Sequence, residues 1–317
     1  MFGNLISFLV LLASVVLFGW LTYRAWKAVR WIVRWPGLVA SGLLTLLAAV
    51  VTFFAVKGLA FMYIAPGPAP DISVEGTPEQ IARGAYLAGV ACIGCHGADD
   101  GSRFPLSGGQ DVTEDIPLPI GTMVISNITP GGVLAHRTDG ELFRVIRHGY
   151  GKGKRAAAMT FMPFGSLSDE DIEAIIAFLR SQESVTTETV GGDDLNILGA
   201  VLLFGANLVP LPETIDGPVT APPMGANPEY GKYVANIGEC RSCHGPDMTG
   251  SEATPFSPAY PNPRPLVATL TLEQFTERMR TGKRPDGSEL DMPWRNAAAM
   301  SDDDLAALYA YLIEPVK

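Results

Sequence analysis

The first 65 residues contain no aspartate or glutamate, and the whole 317-residue chain holds only four histidines and four cysteines. Each scarcity excludes something. A head with five basic residues (Arg24, Lys27, Arg30, Arg34, Lys57) and no acids lacks the mixed charge of a soluble domain's surface. Beyond residue 65 the shortage reverses, with 18 basic against 33 acidic residues, a balance of −15. That balance excludes nucleic acid as a partner, because phosphate binding needs clustered Lys and Arg. There is no glycine-rich nucleotide-binding motif and no copper-site cysteine cluster, so the chain is not a dehydrogenase or an oxidase on its own.

The apolar content is concentrated in the head. Leu5 to Thr22 is one apolar run, and Leu38 to Val56 is another, continued beyond Lys57 by Gly58 to Ala65. Each approaches the roughly 20 residues a helix needs to cross a bilayer core of about 30 Å. The first run lacks the charged leader and small-residue cleavage site of a secretory signal, so it reads as a retained helix. Residues 23–35 between the runs carry Arg24, Lys27, Arg30 and Arg34 among Trp26, Trp31 and Trp35. Basic loops stay cytoplasmic and Trp sits at headgroup level. Residues 1–65 are therefore expected to form a two-pass hairpin in the cytoplasmic (inner) membrane, with both termini and everything after residue 65 on the periplasmic side. Lys57 is expected to reach for the outer interface.

After a stiff linker, Pro66 to Asp71, one pattern occurs twice. Thr77-Pro78-Glu79 opens a helix that runs through Gly84 and Tyr86 to Cys92; Asn227-Pro228-Glu229 opens another through Gly231 and Tyr233 to Cys240. Each unit closes in a helix with a cap and a hydrophobic staple. The cap and staple are Ser168 with Asp171 and Leu167 with Ile172 in the first, and Ser301 with Asp304 and Met300 with Leu305 in the second. The expected fold is all-α: the hairpin, then two class I-type cytochrome c domains over 71–184 and 227–317. Residues 185–226 form the connection. Its apolar core, Leu195 to Val209, is too short for a third crossing at about 22 Å. It is expected to be a helix packed between the domains or lying on the membrane surface.

The four cysteines fall as Cys92-Ile93-Gly94-Cys95-His96 and Cys240-Arg241-Ser242-Cys243-His244. Cys-X-X-Cys-His attaches haem through two thioethers, and the His supplies an axial iron ligand. A zinc site would gather all four thiolates, yet 144 residues separate the pairs. Two disulfides would leave the following histidines unexplained. Two covalently bound haem c groups are expected, held by Cys92, Cys95, Cys240 and Cys243, with His96 and His244 as proximal ligands.

The sixth ligand is expected to be methionine, whose soft thioether favours ferrous iron. The choices are Met123, Met159 and Met162 in the first unit and Met248, Met279, Met292 and Met300 in the second. Met162-Pro163-Phe164 and Met292-Pro293-Trp294 each stand just before a capped final helix, where Pro fixes the chain and an aromatic can cover the haem. Met162 and Met292 are the expected ligands, with Met159 the rival in the first unit. His148, after a helix expected over Asp139 to Arg147, is the bis-histidine alternative; His136 reads as structural.

The first unit resembles the multihaem cytochrome c subunits of membrane-bound alcohol and sugar-acid dehydrogenases. The likeness is carried by Gly108-Gly109, by Ser126-Asn127-Ile128-Thr129-Pro130-Gly131, and by Thr138-Asp139-Gly140-Glu141-Leu142-Phe143-Arg144 with Ile146-Arg147-His148-Gly149. Met162-Pro163-Phe164 and Leu167 to Ile172 complete it. The resemblance covers about residues 77–182, and the second unit through its haem motif and Met292-Pro293. In that family the Met before Pro is the axial ligand, which implies the same for Met162. Those subunits typically carry three haems and lack an N-terminal hairpin. The hairpin followed by two cytochrome domains is similar to the dihaem subunit of certain haem–copper oxidases.

The expected function is a single-electron relay on the periplasmic face between respiratory or photosynthetic complexes. It would act as a non-catalytic subunit among membrane oxidoreductase partners. A dihaem peroxidase or a haem-based redox sensor is the alternative. A peroxidase needs an open sixth position, which the two Met-Pro pairs argue against, and no signalling domain follows. Residues 66–223 hold 9 basic and 20 acidic residues, against 9 and 13 in residues 224–317. Asp99, Asp100, Asp111, Glu114 and Asp115 cluster after the first motif beside Arg103. They mark either a solvated face or a docking surface for a basic soluble cytochrome.

Overall fold

The computed structural model describes residues 2–97, 104–114, 116–187, 191–213, 215–254 and 257–316. It divides into two compact units, one of residues 1–64, 113–122 and 194–210, the other of 65–112, 123–193 and 211–317.

The first unit is built on α1 (Phe2–Trp26) and α2 (Trp31–Tyr63). Both are long and apolar enough to cross a membrane, with mean hydropathies of 2.4 and 2.3. They run antiparallel: Asn4 Nδ2 donates to Tyr63 Oη at 3.2 Å near one end, and the Thr22 and Thr45 hydroxyls meet at 3.1 Å towards the other. The connection is tighter than the sequence suggests. Only Lys27–Arg30 lie between the helices, and the flanking cations rest on tryptophans, Arg24 over Trp20 and Arg34 over Trp26. Lys57 is exposed.

The apolar stretch of the connection packs on α2. Residues Ile197–Gly199 make a helical turn that opens into a π-helical segment, Ala200–Gly205. A Cβ at Gly58 would strike the Ala200 carbonyl, and one at Gly205 would strike that of Phe54. Two glycines let the backbones touch, as small residues do between apolar helices. Phe61 and Phe204 close the contact at 5.1 Å.

The second unit repeats one helical plan. α3 (Pro78–Ala91), α4 (Asp139–His148) and α5 (Asp169–Ser181) are followed by α6 (Pro228–Ile237), α7 (Leu272–Thr281) and α8 (Asp302–Ile313). Caps set the starts. The expected Ser168 and Ser301 each accept from the backbone N–H three residues on, at 3.1 Å. Thr77, Thr138 and Thr271 form full capping boxes with Gln80, Glu141 and Gln274. Gly149 and Gly282 end α4 and α7 in the left-handed conformation, with φ of 63° and 65°.

The two glycines of the repeated pattern set the crossings. At Gly84 a Cβ would run into the Ala174 carbonyl of α5; at Gly231 it would run into the Ala307 carbonyl of α8. Leu87, Val90, Ile172 and Ile176 fill the first crossing, Val234, Leu305 and Leu308 the second. The chain is mostly helical, with one departure: four-residue strands Gly121–Val124 and Gly192–Leu195 pair in a two-stranded sheet.

Candidate haem-attachment sites

The first site begins where α3 stops. Cys92 caps the helix, and Ile93–His96 make the next turn, with the His96 N–H donating to the Cys92 carbonyl at 2.8 Å. One turn therefore carries both thiols and the imidazole. His96 Nδ1 lies 2.8 Å from the Ser126 carbonyl. A carbonyl only accepts, so Nδ1 carries the proton and Nε2 keeps a lone pair for a metal. The neighbouring Asn127 fixes that carbonyl. Fully buried, it donates to Val185 O at 2.9 Å and accepts from the Thr129 N–H and hydroxyl at 2.9 and 2.8 Å.

The motif opens onto a cavity that is partly continuous with solvent. Cys92, Cys95, His96, Met159 and Met162 all line it, among Leu134, Ile146, Phe164 and Leu179. Met159 sits in the turn Ala157–Thr160, and Met162 precedes the 3-10 turn Pro163–Ser166, where Phe164 is buried. Both methionines flank the space, so the wall alone does not choose between them. His148 is half-buried at the end of α4 and is not part of the lining; His136 is exposed.

The second site follows the same order of helix end and motif turn. Gly238 and Glu239 end α6, and Cys240–His244 form the following turn. His244 Nδ1 lies 2.8 Å from the Pro261 carbonyl, so its Nε2 is free in the same way. The Gly250 N–H donates to the His244 carbonyl at 2.8 Å, as the Gly108 N–H does to that of His96 at 3.0 Å. Met292 is half-buried in a separate loop ahead of the turn Trp294–Ala297. Trp294 lies against Gly282, where any side chain would collide with the indole. Met300 is fully buried, in keeping with its staple role, and Met248 is buried with φ 56°.

The residues fit a covalently held haem. All four cysteines are free thiols, and among the described residues no three His, Cys, Asp or Glu gather as a metal cluster. Burial pushes Cys92 up to about 12 and Cys95 up to about 11, with smaller contributions from Glu239. Arg137 Nη1 is buried on the cavity side with no hydrogen-bond partner among the described residues. An orphaned guanidinium nitrogen suits a propionate carboxylate.

The sequence reading missed Arg137, Asp193 and Glu239, all on the cavity wall. Only Glu239 had a local signal, its place immediately before Cys240. Of the acidic cluster, Asp99, Asp100 and Asp115, with Arg103, lie outside the described residues. Glu114 is exposed, and Asp111 Oδ1 accepts from the Met123 N–H at 3.2 Å.

The family described as cytochrome c oxidase, cbb3-type, subunit III matches residues 79–179 and 226–312. The cytochrome c subunit of the quinone alcohol dehydrogenase of Gluconobacter oxydans is 36% identical over 100 residues, 27% of this chain and 21% of that one. The gluconate 2-dehydrogenase cytochrome c subunit of Pantoea cypripedii is 26% identical over 289 residues, 80% of this chain and 62% of that one. The fructose dehydrogenase cytochrome subunit of Gluconobacter japonicus is 33% identical over 101 residues, 27% of this chain and 21% of that one. The chain thus spans from about a fifth to about three fifths of the length of these relatives.

Proposed function

The chain belongs to the cytochrome c family described as subunit III of cbb3-type cytochrome c oxidase, and on that premise we propose that it is a membrane-bound dihaem cytochrome relaying single electrons on the periplasmic face. The observation that carries this reading is a cavity lined together by Cys92, Cys95, His96 and Met162. Haem c, once bound, supplies a one-electron ferric–ferrous couple.

The chain's own residues hold that couple in place. Cys92 and Cys95 would hold the first haem covalently, and Cys240 and Cys243 the second. His96 and His244 offer Nε2 from rings oriented by the Ser126 and Pro261 carbonyls. Met162 and Met292 would supply the thioethers. The wall of the first site is mostly apolar, and Arg137 would compensate propionate charge. Residues 71–184 and 227–317 act as the two cytochrome domains.

α1 and α2 anchor the chain in the cytoplasmic membrane, with the Lys27–Arg30 connection inside and both termini in the periplasm. The relatives' names point to a place as the electron-carrying, non-catalytic subunit of a membrane dehydrogenase complex. A basic soluble cytochrome is the proposed mobile partner. Copurification from native membranes tests the assignment. A dehydrogenase subunit is expected in the purified complex, reducing both haems when its substrate is added. Recovery with an oxidase core and no dehydrogenase would reassign the complex, and recovery without haem would refute the reading.

A further inference from the structure

Two acidic side chains line the first cavity. Asp193 is engaged, its Oδ2 accepting from the Ala157 N–H at 2.7 Å while Lys154 bonds its carbonyl. Glu239 is not: among the described residues no hydrogen bond or ion pair reaches its carboxyl, and burial alone acts on it. It belongs to the other half of the unit, directly before Cys240, yet stands on the cavity wall with Cys92 and Cys95. Its charge is felt by all four cysteine sulfurs, Cys92, Cys95, Cys240 and Cys243. Its backbone is left-handed, at φ 57°, a conformation that usually falls to Gly or Asn. A glutamate there places a carboxyl at the junction of the two motifs despite the backbone cost.

We propose that Glu239 is a proton-exchanging carboxyl shared by the two haem sites, protonated when an electron arrives at either and deprotonated when it leaves. The inference rests on the dihaem reading. Burial pushes the carboxyl up to about 7, where a small change of field transfers a proton. The titratable and charged groups on the same cavity wall are Cys92, Cys95, His96, Arg137 and Asp193, with Cys240 and Cys243 in its own turn. As thioethers the cysteines cease to titrate. Burial also raises Asp193, which makes it the rival group.

The exchange balances. One electron from a reduced donor of the quinol or cytochrome class lowers the charge at the site by one. Glu239 takes one proton from water and returns it on oxidation. Reduction therefore favours the protonated carboxyl, and the midpoint potential falls as pH rises through neutrality. For one proton per electron the limit is about 59 mV per tenfold change in proton activity.

Spectroelectrochemical titration of the full haem-loaded chain from about pH 5 to about pH 9 tests this. The wild type is expected to show falling potentials for both haems, with the steepest part near neutrality. Glu239→Gln should flatten that part, and Asp193→Asn should leave it. Redox-difference infrared spectra should show a protonated-carboxyl band that grows on reduction and is missing from Glu239→Gln. Wild-type potentials indifferent to pH, a slope retained in Glu239→Gln, or a slope lost only in Asp193→Asn would each overturn the proposal. Haem content measured on the same samples separates this failure from failure of the dihaem reading.

Discussion

His96 and His244 answer the same local question in the same way, since each offers Nδ1 to a carbonyl 2.8 Å away. The sequence made both motifs legible because covalent attachment needs fixed spacing. The supporting carbonyls were not legible, since any residue supplies a carbonyl and only the fold aims it. The same limit applies to the thioethers. Met162 and Met159 both reach the first cavity wall, and only the proline after Met162 separates them in the chain. Met162→Ala is expected to abolish the first haem's share of the weak near-infrared methionine–iron band and to lower its potential. Met162→His should lower the potential further, because imidazole favours ferric iron where thioether favours ferrous. Near-infrared spectra and redox titration check both. An unchanged band in Met162→Ala together with a lost one in Met159→Ala would assign the ligand to Met159.

Among the helices, the glycines carry what the apolar pattern does not. Ser168 and Ser301 as caps followed from the sequence, because capping is local. The close crossing of α3 on α5 did not, although Gly84 and Gly231 stood at matching places in the repeat. A glycine inside a helix signals close approach only when its partner is known, and here the partners are the carbonyls of Ala174 and Ala307. Gly84→Ala would improve helix propensity yet force the helices apart. It is expected to destabilise the haem-bearing unit by about 1–3 kcal/mol, the usual cost of overpacking. Gly67→Ala, with open space around it, should change little. Thermal unfolding of both variants, followed by circular dichroism, makes the comparison, and equal midpoints would refute the account. The place of Ala200–Gly205 was left open by the sequence for a related reason. Its length excluded a third crossing, but length says nothing about which surface receives it, and Gly58 on α2 does.

On the scale of the whole molecule, charge and hydropathy spoke most clearly. An acid-free head and an acidic body predicted an anchor and a separate polar part, and α1 and α2 are the two long apolar helices. Protease added to intact spheroplasts is expected to digest everything beyond residue 65 and to spare the hairpin; protection of the haem-bearing part would invert the topology. Mass measurement after acid–acetone extraction should find the chain heavier by two haems, and one or none would refute the count. Electron transfer to a basic soluble cytochrome should slow steeply between 0.01 and 0.1 M salt, as the Debye length shortens from about 30 to about 10 Å. A rate indifferent to salt would reduce the acidic residues after the first motif to a solvated face. The repeat itself was legible, but not how its halves interlock. Tyr233 of α6 bonds Asp171 Oδ2 at 2.7 Å and accepts from the Ser168 N–H at 2.9 Å, at the cap of α5. Tyr86 of α3 does the same for Asp304 and Ser301 at the cap of α8. Each half therefore finishes the other's last helix. The earlier half cannot close fully until Tyr233 of the later half has been made, so maturation has a built-in waiting step. A ribosome stalled after residue 226 would display the first attachment motif on a half still missing the hydroxyl that closes it.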